Sequence, residues 1–150
     1  MTEKEKAGQL FLEGHNCAQS VFTAFCHRFD LDETTAKRIS AGLGGGVGRM
    51  REVCGAVSGS AMVIGSLCAA TRGSDSQSKQ RNYELVQLFA ERFKERNGTV
   101  ICRELLSLNA QDKISPTPES RTAQYYKKRP CLKLVEDAAE ILCEIIEENE

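Results

Sequence analysis

A chain of 150 residues suits one compact domain, and 41% hydrophobic with 27% charged residues excludes disorder as its main state. The 20 basic residues against 21 acidic ones leave a net charge of -1, so no field spans the molecule to attract nucleic acid or anionic lipid. With no Trp and 6% aromatics, a base-stacking surface is excluded as well.

The opening Met1-Thr2-Glu3-Lys4-Glu5-Lys6 is mixed in charge and lacks the basic-then-apolar pattern of a secretory signal, which sets the expectation of a cytoplasmic protein. Ala7, Leu10 and Phe11 predict a first helix ending near Gly14. Asn16 is suited to cap a second helix, whose Ala18, Val21, Phe22 and Phe25 follow i, i+3, i+4, i+7 spacing. Asp32 caps a short third helix through Ile39. Gly42, Gly44, Gly45, Gly46 and Gly48 then form a loop, because glycines so dense are costly inside a helix. Its spacing completes neither G-x-G-x-x-G nor a Walker motif, which removes the nucleotide reading; consecutive glycines can instead aim N–H groups at sulfur or an anionic centre.

Val53 to Thr71 carries no charge over nineteen residues, long enough for a membrane span. Its Gly, Ala and Ser content partitions poorly into lipid, so it reads as a buried central helix from about Cys54 to Ala70. Gly55 and Gly59, one turn apart on it, admit another backbone closely. A polar loop from Arg72 to Lys79 leads to a helix carrying Leu85, Val86, Leu88, Phe89 and Phe93, stopped by Asn97-Gly98. A short helix over Cys102 to Leu108, a polar loop with Pro116, Pro118 and a basic cluster, and a last helix opened by Pro130 complete the chain. That last helix carries Leu134, Val135, Ala138, Ile141, Leu142 and Ile145 on one face. The expected fold is all-α: one domain over residues 1–150, a single irregular bundle of five to seven helices around a Gly/Ala/Ser-rich central helix.

Seven cysteines in a reducing compartment read as metal binding, redox chemistry or burial rather than a disulfide framework. Cys17, Cys54, Cys102 and Cys131 fall in predicted first turns, where unpaired N–H groups and the helix dipole favour a thiolate. Cys26, Cys68 and Cys143 fall deep in apolar helices, where burial leaves thiols inert. On one helix, Cys54 and Cys68 would lie about 21 Å apart and Cys131 and Cys143 about 18 Å, too far for a shared site. The four helix starts are therefore expected to meet at one end of the bundle. Nearby cations, Arg49, Arg51, Arg103, Lys127, Lys128, Arg129 and Lys133, would favour thiolates further, and His15 is a candidate extra ligand or proton partner.

Gly14-His15-Asn16-Cys17-Ala18-Gln19-Ser20-Val21, Gly44-Gly45-Gly46 leading to Cys54-Gly55-Ala56-Val57-Ser58-Gly59, Ile101-Cys102-Arg103-Glu104-Leu105 and Pro130-Cys131 before Val135-Glu136-Asp137-Ala138-Ala139 resemble the C_GCAxxG_C_C family of redox-active proteins. The resemblance spans nearly the whole chain and selects the same four cysteines. It implies an oxidoreductase or electron carrier with an unidentified redox partner. Some relatives resemble the iron–sulfur part of a multidomain cytochrome and some carry selenocysteine, implying a cluster in one case and thiol chemistry in the other.

Three readings follow. In the first, Cys17, Cys54, Cys102 and Cys131 converge to bind an iron–sulfur cluster or other thiophilic metal, with Gly45, Gly46 and Gly55 as cofactor-binding backbone. No C-x-x-C pair is present, so the ligands must come from separate helices. In the second, the same cysteines exchange thiol and disulfide without a cofactor. The third is a non-catalytic helical interaction module. The expected partners exclude nucleic acid and membrane insertion, and a homodimer is permitted.

Overall fold

The computed structural model describes residues 1–69, 71–109 and 112–150. Among them eight α-helices form and no strand does: α1 (Glu3–Leu12), α2 (Cys17–Phe25), α3 (Glu33–Ser40), α4 (Gly55–Cys68), α5 (Ser76–Asn97), α6 (Cys102–Leu105), α7 (Ala123–Lys128) and α8 (Cys131–Glu148). The all-α expectation holds, and local chemistry explains most boundaries. Asn16 caps α2 through a reciprocal capping box with Gln19, and Asp32 caps α3 by accepting from Thr35. Gly98 ends α5 in the left-handed conformation.

Eight helices stand among the described residues where five to seven were expected, and four details differ from the sequence reading. The helix expected after Lys79 begins at Ser76, because Asp75 accepts from the Ser78 N–H and caps it earlier. Thr122 caps α7 inside the expected polar loop, and Pro130 is the cap of α8 rather than its first residue. The short helix over Cys102 is one turn long, and Ala70, the expected end of the central helix, lies outside the described residues.

One apolar core is shared by α1, α2, α4, α5 and α8, with Phe11, Phe25, Phe89 and Phe93 fully buried in it. Each such ring contributes about 1.5–3 kcal/mol by leaving water. The α8 stripe from Leu134 to Ile145 is buried at all six expected positions. No helix among the described residues is long and apolar enough to cross a membrane.

The crossing of α2 and α4 positions the site. A Cβ on Gly55 would meet the Ala18 N at 2.9 Å and the Cys17 Cβ at 3.3 Å, and one on Gly59 would meet the Ala18 carbonyl oxygen at 2.9 Å. Hydrogen in place of a side chain thus lets the first turns of both helices touch. Gly59→Ala tests this by sign. Helix propensity alone predicts a gain of about 1 kcal/mol. The clash with Ala18 predicts a net loss of about 1–3 kcal/mol, seen as a lower chemical-denaturation midpoint. A midpoint at or above that of the parent chain would contradict the close crossing.

Candidate functional site

Four helix starts meet at one end of the bundle around a cavity of about 420 Å³. Cys17, Cys102 and Cys131 are the first residues of α2, α6 and α8, and Cys54 is the cap residue of α4. All four line the cavity, as do Gly45, Gly46 and Gly55.

Two backbone devices bring Cys17, Cys54 and Cys102 together. The α2–α4 crossing sets Cys17 against Cys54. A single antiparallel bridge between Val53 and Ile101 then joins the runs that precede α4 and α6. In it the Cys54 N–H donates to the Val100 carbonyl (2.8 Å) and the Cys102 N–H donates to the Glu52 carbonyl (2.6 Å), so these helix starts are held side by side.

The Gly-rich segment is a left-handed turn. Gly45, Gly46, Val47, Gly48, Arg49 and Arg51 all have positive φ, with Val47 at 65°, Arg49 at 61° and Arg51 at 63°. For residues with a Cβ this backbone costs roughly 1–2 kcal/mol each. It is held by N–H groups of Arg49, Arg51 and Glu52 donating to carbonyls of Gly44, Gly45 and Gly46. A Cβ on Gly46 would lie 2.7 Å from the Cys102 Cβ, so glycine there makes room for the thiol.

The thiols do not behave alike. Neighbouring Cys131 and Cys54, with burial, keep the proton on Cys17 and push its pKa well up. Cys17 in turn lowers Cys54, against burial and with help from the backbone N–H groups of Ala56 and Val57. Cys131 is lowered to about 7, first by Cys17 and, against burial, by the charges of Arg129, Arg121 and Arg51. Cys102 stands apart from these three. Burial pushes its thiol up, and its Sγ accepts from Arg51 Nη1 at 3.7 Å. Thiolate character at all four helix starts was expected; it is favoured at Cys54 and Cys131 only, because Cys17 keeps its proton beside them and burial prevails at Cys102.

Of the cations singled out in the sequence, Arg49, Arg51 and Arg129 line the cavity. Arg49 Nη1 donates to the carbonyls of Ser115 (2.6 Å) and Thr117, tying the segment before α7 over the site. Arg129 pairs with Glu119 at 2.7 Å. Arg103 instead donates to the Asn109 carbonyl, and Lys133 serves Asn97 and Asp137 on the bundle surface. His15 does not line the cavity; burial and the Lys37 charge lower its pKa.

Sequence reasoning missed Arg121. It donates to the Phe11 carbonyl (2.8 Å) and the His15 carbonyl (2.9 Å), and its guanidinium lies 4.3 Å from the Phe11 ring centre and 4.9 Å from that of Tyr125. No local pattern marks it, because the carbonyls and the Phe11 ring that hold it are more than a hundred residues away. Tyr125, pushed up to about 12 by burial and by the Cys131 charge, stays a neutral phenol in the wall.

The other three cysteines divide further than expected. Cys26 is buried, Cys143 is half-buried beside Glu3, and Cys68 is exposed at the last turn of α4 rather than deep in the core. All seven are free thiols. Among the described residues no group of three or more His, Cys, Asp or Glu is arranged to hold a metal ion.

No curated protein and no solved structure matched the chain. The family model described as "Putative redox-active protein (C_GCAxxG_C_C)" matches residues 15–145. With Cys17, Cys54, Cys102 and Cys131 all inside that span, the chain belongs to the C_GCAxxG_C_C family of redox-active proteins.

Proposed function

We propose that the chain is a thiol/disulfide redox protein in which Cys131 is the nucleophile and Cys17 the resolving thiol. The observation that carries this reading is that Cys17, Cys54 and Cys131 line one cavity with Arg51, Arg121 and Arg129, where a thiolate-favouring Cys131 neighbours a Cys17 that keeps its proton. The Cys131 thiolate attacks one sulfur of a partner disulfide. An S–S bond forms to Cys131, the partner's own S–S bond breaks, and one partner thiolate leaves. Cys17 gives its proton to that thiolate and attacks the Cys131 sulfur, forming a Cys17–Cys131 disulfide and releasing the second partner thiolate. The partner gains two electrons and the protein loses two; a dithiol redox partner restores the reduced form. Negative charge on Cys54 would oppose a second thiolate beside it, so only one of the two ionises readily at a time, and Cys102 stands aside against Arg51. Seven free thiols fit a reducing, cytoplasmic setting for this cycle.

A second reading is an iron–sulfur cluster or other thiophilic metal. It is favoured by the single cavity that all four cysteines line and by the arginines that would offset a tetrathiolate charge. As arranged, the donor set does not fit, because Cys102 is turned to Arg51 and no three ligands face one centre among the described residues.

One preparation tests both. The protein is purified anaerobically, analysed for metal and acid-labile sulfide, then oxidised with one equivalent of a small disulfide and mapped by mass spectrometry. The expected result is a metal-free protein with a Cys17–Cys131 disulfide. Stoichiometric iron and sulfide, or oxidation that links other cysteines, would overturn the thiol-exchange reading.

A further inference from the structure

We infer that the cavity over Cys131 selects small disulfides that carry carboxylates, a substrate class that rests on the thiol-exchange reading above. Arg49, Arg51, Arg121 and Arg129 all line this cavity, and Glu119 is the one carboxylate residue in its lining. Glu119 is already paired with Arg129. The other three guanidiniums form no ion pair among the described residues, although Arg51 lies beside the Cys102 sulfur.

These cations are fixed before any ligand arrives. Arg49 is bonded to the carbonyls of Ser115 and Thr117, and Arg121 to those of Phe11 and His15 while stacked on two aromatic rings. Carbonyls orient a guanidinium without neutralising it, and its five N–H donors outnumber the bonds made. Leu105, Leu106, Pro116 and Pro118 supply apolar wall between the charges, suited to the methylenes of a short thiol. A volume of about 420 Å³ is of the size that small-molecule sites use. The surplus positive charge sits around the sulfur that attacks, so a carboxylate arm would meet a guanidinium as the S–S bond approaches Cys131. An ammonium-bearing disulfide would meet repulsion in the same place.

The test uses the reduced full chain at pH 7 with three disulfides of similar length: 3,3′-dithiodipropionate, 2-hydroxyethyl disulfide and cystamine. Each rate of Cys131 oxidation is divided by that disulfide's rate with a free small thiol, which removes leaving-group differences. The dicarboxylate is expected to lead the neutral probe by about tenfold and the diammonium probe by more, the advantage shrinking in about 0.5 M salt. Arg49→Gln is expected to lower the dicarboxylate-to-neutral ratio at least about threefold, a ratio in which any change of nucleophile cancels. Equal normalised rates for all three probes would overturn the inference and leave thiol exchange standing. Reaction with none of them would overturn both.

Discussion

Cys131→Ser is expected to slow reduction of 3,3′-dithiodipropionate at pH 7 by about 50-fold, provided the reaction is followed in a Cys68→Ser background. The background matters because Cys68 is exposed, and an accessible thiol reacts slowly on its own. With a pKa of about 7, Cys131 is roughly half thiolate at neutral pH, whereas an ordinary thiol near 9 is about 1% ionised. Lower basicity gives back about tenfold in nucleophilicity, so ionisation alone supplies only a few-fold advantage. The rest of the expected effect comes from the charge around the sulfur, because Arg129, Arg121 and Arg51 act on Cys131 and would draw a carboxylate-bearing disulfide to it; Cys131 is itself buried at 8% exposure, Cys26, Cys54 and Cys102 are no more open, and Cys17 and Cys143 hold their protons. A double variant that keeps the parent rate would assign the attack to Cys54.

Cys17→Ala is expected to have two effects that a merely structural cysteine would not. The first is on titration. The hydrogen bond from Cys17 is the largest influence lowering Cys131, so its loss raises that pKa from about 7 toward the ordinary thiol range. At a pH below the new midpoint, a tenfold weaker acid holds about tenfold less thiolate, which is read as a rightward move of the pH profile for alkylation of Cys131. Arg129, Arg121 and Arg51 remain, so the midpoint stops short of 9. The second effect is chemical: oxidation stops at a mixed disulfide on Cys131 that mass spectrometry retains. Ala at the first position of α2 is a good helix former, so the fold is expected to persist. An unmoved profile together with normal turnover would remove Cys17 from the chemistry.

Much of this site was readable in the sequence because helix starts are written locally. Asn16 before Cys17 and Pro130 before Cys131 mark their helices by capping chemistry, and the spacing of Gly55 and Gly59 announces a close crossing. What was not readable depends on distant packing. Arg121 acts through carbonyls over a hundred residues away, and the Val53–Ile101 bridge joins segments with no shared pattern. Cys68 looked buried because it ends an apolar run, yet α4 emerges from the core before reaching it. The uniform thiolate expected at four helix ends failed for a similar reason: convergence that builds the site also makes the sulfurs compete for protons.

The left-handed turn from Gly45 to Arg51 has a thermodynamic consequence for whatever binds above it. An arginine on a floppy loop must be immobilised when a ligand arrives, at about 0.5–1.5 kcal/mol per side chain. Here the chain adopts a backbone disfavoured for Val47, Arg49 and Arg51 during folding, and Arg49 is anchored to Ser115 and Thr117 at the same time. The ordering entropy therefore falls on the stability of the fold instead of the affinity of the site: an anion of the proposed class would meet a guanidinium already in place, while the protein as a whole is less stable than its core would permit.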